Sequence, residues 1–228
     1  MGDCMESNEL VMEDISKVYI IKRHMYFGVK RMFDLVCSLV GILFLIPLTI
    51  LVKICYMCSG DFHSILYSQD RIGKNGKIFR LHKFRTMVVN ADEILDELLK
   101  KNPDMAREYK LNKKLKNDPR ITRFGKFLRK FSLDEFPQFI NVFLGEMSLI
   151  GNRPYLPREK KDMGKYYADI VKTKPGITGL WQVSGRSDLS FKRRLELESK
   201  YSNSISIRMD IKILLNTFLA VFKGKGAM

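Results

Sequence analysis

From Leu35 to Val52 the chain carries no charged residue for 18 positions, which meets the length of a membrane segment. Pro47 interrupts the run, with twelve uncharged residues before it and five after, so a straight helix through a bilayer would have to kink there. The 20 residues 15–34 ahead of the run hold five basic side chains, and the 20 residues 53–72 behind it hold two. By the positive-inside tendency the N-terminal flank stays in the cytoplasm. A plain span with a proline kink would then carry everything after the run to the far side. A helix that enters, bends at Pro47 and returns keeps both flanks on one side, at the cost of satisfying freed backbone groups within the membrane.

The run divides the chain. Residues 1–24 are polar with scattered Met and Ile and lack the apolar core and cleavage site of a signal peptide, so a mobile tail or a short amphipathic arm is expected. Residues 25–58 are expected to form the membrane helix and residues 59–228 one cytosol-facing domain, since no repeat, low-complexity segment or linker divides them. Four cysteines, Cys4, Cys37, Cys55 and Cys58, make no disulfide framework in a chain this size and fit a reducing compartment. Cys55, Cys58 and His63 offer three soft ligands, and no second cysteine pair completes a zinc site.

The net charge of +15 is unevenly placed: −2 over residues 1–70, +11 over residues 71–130 and +6 over residues 131–228. Such a block suits nucleic acid, an anionic membrane surface or a polyphosphate substrate. Zinc-finger spacing, a basic zipper and an aromatic RNA-binding strand are all missing, so nucleic acid has charge in its favour and little more. A membrane-tethered basic protein that binds nucleic acid or anionic lipid without chemistry stands as the alternative to an enzyme.

The block leads into residues 131–155, FSLDEFPQFINVFLGEMSLIGNRPY. Ser132 and Glu135 have the S-x-x-E spacing of a capping box, which places Asp134 and Glu135 in the first turn of a helix. Pro137 would then fall just past that turn, and making Asp134 the N-cap removes the conflict. In either register both carboxylates sit at a helix start, where free N–H groups favour an ionised carboxylate and any phosphate beside it. Phe136, Phe139, Ile140 and Phe143 share one face, and Gly145 is a C-terminal stop. An ordinary capped amphipathic helix explains the same pattern.

Elsewhere, residues 65–71 and 77–84 read as strands around Asn75-Gly76, a tight-turn signal. Residues 90–109 read as one polar helix and residues 110–116 as a lysine-rich loop. Residues 120–130 place Phe124, Phe127, Leu128 and Phe131 on one face between cations, as an interfacial helix does and an ordinary core-facing helix also can. Residues 174–179, KPGITG, and 180–186, LWQVSGR, have the composition of a binding loop. Two further helices are expected at 191–201 and 208–222. The fold class is α+β, mostly helical with a small β-hairpin, a re-entrant N-terminal membrane helix and interfacial amphipathic helices.

The ordered set KRMFD, SQDRIGKNGKIF, KFRTM, NDPRITRFGKFLR, SLDEFPQFINVFLGEMSLIGNRP, KPGITGLWQVSGR and DIKILLNTFLAVFKGKGA resembles the bacterial sugar transferases of the monotopic polyprenyl-phosphate phosphoglycosyl transferase superfamily, in their small, catalytic-domain-only form. The resemblance runs from about Met25 onward. It implies transfer of a sugar-1-phosphate from a UDP-sugar to undecaprenyl phosphate with release of UMP, on the cytoplasmic face of the bacterial inner membrane, as the first membrane step of a surface glycan. It also implies a re-entrant membrane helix, no nucleic-acid partner and a Mg²⁺ cofactor, and it leaves a homodimer open.

Carried over by position, the resemblance makes Asp134 the nucleophile and Glu135 its partner acid, with Mg²⁺ held by Glu135 and Asp134. It makes Arg129 and Arg153 phosphate ligands, to which the cations Lys83 and Arg85 at the end of the second strand are added. The nucleotide-sugar loop is expected to comprise Pro175, Gly176, Thr178, Gln182 and Arg186. Three positions depart from the family pattern: Ile46 stands where a small residue, typically serine, precedes the proline; Asn152 replaces the first proline of the G-P-R-P loop; and Glu146 stands where aspartate is usual.

Overall fold

The computed structural model describes the backbone of residues 2–113, 115–185 and 189–222, with side chains from Ile21 on except Lys22, Val221 and Phe222. Helix α1 runs from Gly2 to Cys58 with Pro47 inside it. The backbone of residues 1–24 is thus helical from Gly2, as an arm continuous with the apolar run, in place of a loose tail. Ser38 and Thr49, the hydroxyls within the run, donate to the carbonyls of Leu35 at 3.0 Å and Leu45 at 2.7 Å. Neither carries an unmet donor into an apolar medium.

One stripe of α1 faces protein: Asp34, Ser38, Gly41, Leu45, Val52 and Tyr56 are buried at the alternating three- and four-residue spacing of a helix face. The stripe continues on both sides of Pro47. The opposite face, including Leu39, Leu43, Phe44, Ile46, Ile50 and Ile54, is exposed and apolar. The motif at 30–34 pins the helix down. Lys30 pairs with Asp210 at 2.6 Å, and Arg31 donates to the Val142 and Phe143 carbonyls at 2.7 and 2.8 Å. Asp34 accepts from Ser148 Oγ and the Leu149 amide.

Strands β1 (Leu66–Ile72) and β2 (Ile78–Phe84) form the expected antiparallel hairpin, with Leu66 opposite Phe84 and Ile72 opposite Ile78. Asn75 and Gly76 both have positive φ, 57° and 77°, the conformation for which those residue types are suited. The single polar helix expected at 90–109 is two, α2 (Ala91–Lys101) and α3 (Pro103–Asn112). Pro103 cannot continue α2, and Asn102 caps α3 by accepting from the Asp104 and Met105 amides. Helix α3 extends into the stretch expected as a lysine loop and stops at Lys113, whose φ is 56°.

Helix α4 (Arg123–Lys130) begins at the Thr122 cap and buries Gly125 and Leu128, while Phe127 and Phe131 are exposed. Helix α5 (Gln138–Leu144) ends at Gly145, φ 82°, and strand β3 (Ser148–Ile150) follows. Short helices α6 (Lys160–Met163) and α7 (Tyr167–Ile170) lead to β4 (Gly176–Thr178), which pairs parallel to β3. The β4 strand of this second small sheet comes from residues expected as a loop. Helices α8 (Leu180–Val183), α9 (Phe191–Asn203) and α10 (Ile207–Phe222) complete the chain. The core joins β2, α5, β3 and α10 through Phe79, Leu81, Val142, Met147, Leu149 and Ile213. Leu45, Val52 and Tyr56 of α1 pack with Phe84 and Leu128.

Candidate active site

Asp134 and Glu135 lie in a 3-10 turn, Leu133–Glu135, between α4 and α5. The capping box does not form. Ser132 has φ 55° and its side chain caps nothing, whereas an N-cap needs extended backbone. Helix α4 ends at Lys130, so the chain must turn within Phe131 and Ser132, and α5 starts only at Gln138 behind Pro137. The buried face of α5 is Gln138, Asn141 and Val142. Of the four expected face residues, Phe136 and Ile140 pack against the cluster of α1, Phe84 and Leu128, Phe139 packs onto Gly41 of α1 and Phe143 is exposed. The carboxylates therefore precede the helix and are held by its neighbours.

Asn141 supplies that hold. Fully buried, it accepts from the His82 amide and donates to the Arg80 carbonyl and to Glu146 Oε2, which fixes α5 against β2. Lys83 of β2 then reaches Glu135, Nζ to Oε1 3.0 Å. Glu146 meets Asn141 at 2.7 Å, so the glutamate in place of the usual aspartate has a structural partner.

Asp134 is 8% exposed. Burial raises its carboxyl above the usual range, Lys83 pulls it down, Glu135 pushes it up again and Arg129 opposes that push. Arg129, at the end of α4, donates from Nε to Thr86 Oγ1 at 3.0 Å. Burial draws its guanidinium below the ordinary value, against the pull of Asp134, Asp118 and Glu135. Two adjacent carboxylates, one buried and incompletely neutralised, match the donor set Mg²⁺ takes when substrate phosphates and water complete its shell. Among the described residues no cluster of three His, Cys, Asp or Glu makes a protein-only cage.

Arg85 does not join this group. Its Nε, Nη1 and Nη2 donate to the Ser64 carbonyl, the Met87 carbonyl and Asp61 Oδ2, and it stacks 4.7 Å over the Tyr56 ring. It ties the end of β2 to the end of α1, with all three guanidinium nitrogens engaged within the protein.

Arg153 stands at a second corner. On β1, Arg71 lies four residues, roughly 13 Å, from Tyr67, the partner of Lys83. Arg71 donates to the Pro154 carbonyl at 3.0 Å, and Arg153 lies over the rings of Tyr155 and Trp181 at 5.8 and 5.9 Å. Arg194 faces the same Trp181 ring at 5.5 Å. Beneath them Glu198, fully buried, accepts from the Arg153 amide at 2.7 Å, and burial pushes its carboxyl up to about 7. Glu198 and Arg194 lie on α9, in a stretch with no motif to single them out. Asn152 reaches the Ile170 carbonyl, Thr173 and Ser202, so the residue that replaces a proline anchors the loop by hydrogen bonds.

The expected nucleotide-sugar loop is mostly framework. A Cβ on Gly176 would lie 2.1 Å from the Gly151 amide nitrogen, so glycine is needed there for strand pairing. Thr178 bonds Thr217 of α10 at 2.7 Å, and Gln182 donates to the Ile177 carbonyl. Pro175 bridges to Asn152 and lines a small cleft beside Arg153. Arg186 lies outside the described residues.

The site is thus a carboxylate pair in a basic surround, on a domain packed against a helix whose outer face is apolar. The bacterial sugar transferase family model matches residues 25–224, and the chain belongs to that family. It is 45% identical over 210 residues to the UDP-galactose-lipid carrier transferase of Erwinia amylovora, covering 91% of this chain and 43% of that protein. To the undecaprenyl-phosphate galactose phosphotransferase of Salmonella typhimurium it is 42% identical over 201 residues, 87% of this chain and 41% of that one. To the exopolysaccharide production protein ExoY of Rhizobium meliloti it is 40% identical over 198 residues, 87% of each. The chain thus spans about two fifths of the first two relatives and most of the third.

Proposed function

We propose that the protein transfers a sugar-1-phosphate from a UDP-sugar to undecaprenyl phosphate through a covalent intermediate on Asp134. The observation that carries this is a buried, incompletely neutralised carboxylate flanked by Lys83, Glu135 and Arg129. An Asp134 oxygen attacks the sugar-bearing phosphorus of the donor, the bond to the bridging oxygen breaks, and UMP leaves with that electron pair. An oxygen of undecaprenyl phosphate then attacks the same phosphorus, the aspartyl–phosphorus bond breaks, and the carboxylate is regenerated. Splitting the transfer lets one site serve a cytosolic donor and a membrane acceptor in turn.

Arg129 and Lys83 offset charge at the reacting phosphate, and Arg153 holds the distal part of the donor. Glu135 and Asp134 would hold Mg²⁺, which when bound neutralises the diphosphate. Labelled UDP-sugar without lipid acceptor, UDP-galactose first in a panel, should release at most one UMP per protein and leave label on Asp134. Release only with acceptor and no labelled protein would overturn the covalent route. Nucleic-acid binding with steep salt dependence and no UMP release would favour a non-enzymatic basic protein instead.

The chain is also proposed to sit on the cytoplasmic face of the inner membrane with both flanks of the apolar run on that side. The buried stripe of α1 supports this, because protein packs against the helix on both sides of Pro47, which a helix crossing alone through lipid would not allow. Single cysteines near residue 10 and in the 110–116 stretch, in a cysteine-free background, should be equally shielded from an impermeant thiol reagent in intact cells. Labelling near residue 10 alone would establish a span.

A further inference from the structure

Between α1, the hairpin tip and the segment before β4 lies a cavity of about 230 Å³ that the proposed reaction does not use. Its charged lining is Lys30, Arg31, Asp34, Lys74 and Lys174. Three of these are already committed inside the protein, Lys30 to Asp210, Arg31 to the end of α5, and Asp34 to Ser148 and Leu149. Lys74 and Lys174 are not. Among the described residues neither has a carboxylate partner, and Lys74 Nζ lies 5.4 Å over the Phe27 ring. Burial draws the Lys174 ammonium below its ordinary value, Arg31 and Lys74 repel it further, and Asp34 partly opposes them. Cations that repel one another across a void favour an anion within it.

Size and surroundings narrow the anion. The volume is below the roughly 300–1,000 Å³ usual for drug-sized ligands, which suits a small headgroup and excludes a nucleotide sugar. The α1 wall of the cavity shares its turns with Met25, Val29, Met32 and Phe33, all exposed. Across from it Ile205 lines the cavity, and the start of α10 exposes Ile207 and Ile211. Apolar surface therefore flanks a basic void on two sides, as a molecule with a charged head and apolar chains requires.

We propose that this cavity seats the phosphate of an anionic membrane phospholipid, fixing the domain on the membrane surface independently of the Asp134 turn. Inorganic phosphate and a polyprenyl phosphate present similar chemistry, and the test separates them. The full chain in detergent is incubated with phosphatidylglycerol, phosphatidylcholine, inorganic phosphate or undecaprenyl phosphate, and bound molecules are counted by native mass spectrometry. Phosphatidylglycerol should be retained at least about tenfold over phosphatidylcholine, the size expected of two interfacial cations, and Lys74→Gln combined with Lys174→Gln should remove that preference. Lys100→Gln with Lys101→Gln on α2 should leave it intact, and Lys74→Arg combined with Lys174→Arg should retain it. UMP release should be the same in all variants, so failure here leaves the proposed reaction standing. The idea is overturned by no lipid preference in the unmodified chain, a preference that survives Lys74→Gln with Lys174→Gln, or its loss in Lys74→Arg with Lys174→Arg. Inorganic phosphate that excludes the lipid, or a double variant that loses only undecaprenyl phosphate, would also overturn it.

Discussion

Asp134 and Glu198 are both pushed above the ordinary carboxyl range by burial, in surroundings of opposite kind. Glu198 sits on a long helix, fully enclosed, and spends one oxygen on the Arg153 amide. Asp134 sits in a three-residue turn, partly open, with Lys83 bound to its neighbour and Arg129 bound to Thr86. Glu198 is sealed in the core, with one oxygen on the Arg153 amide and the other buried without a partner among the described residues; Asp134 stands in a turn beside two cations. A raised carboxyl therefore marks a candidate reactive group only when a substrate can reach it.

The largest effect expected from this contrast is at Asp134. Asp134→Asn keeps the size and removes the nucleophile, so turnover should fall by at least about 10³-fold, as for other covalent catalysts that lose the attacking group. Burying a neutral amide in place of a carboxylate beside Glu135 removes a cost, so the melting temperature should hold or rise, by about 1 kcal/mol in stability. Turnover and thermal unfolding measured on one preparation decide the matter. Retained turnover, or a collapse of stability with it, would place Asp134 with Glu198 among the structural carboxyls.

How much of this was legible in the sequence depended on the range of the forces involved. The hairpin was, because Asn75 and Gly76 adopt a local conformation their own side chains favour. So were the apolar run of α1 and the C-terminal helix, since residue type along a continuous segment is local. The capping box failed because a one-residue reversal after α4 needs Ser132 left-handed, a demand set by where α5 must lie. The bond from Arg85 to Asp61, 24 residues away, is set by the fold and has no local signal. The 174–179 segment looked like a loop because the close approach of Gly176 to Gly151 is invisible to composition. Glu198 and Arg194 carried no motif, and only the folded chain brings them under Arg153.

The smallest effect sharpens the comparison from the other side. Glu198 titrates at about 7 in the folded protein against an ordinary 4.5, so between those values the native state holds a proton that the unfolded chain has lost. Its stabilising contribution is complete below about pH 4.5 and is lost as pH rises through about 7. Glu198→Gln carries no titrating group and should flatten the fall in melting temperature across that window. The amide oxygen can still accept from Arg153 N, though more weakly than a carboxylate. The donor KM should therefore rise a few-fold at pH 8, where the native glutamate is ionised, and little at pH 6, with kcat nearly unchanged at both. A positioning role requires both results together: an altered pH slope of stability with no change in KM would make Glu198 a buried acid that serves packing alone.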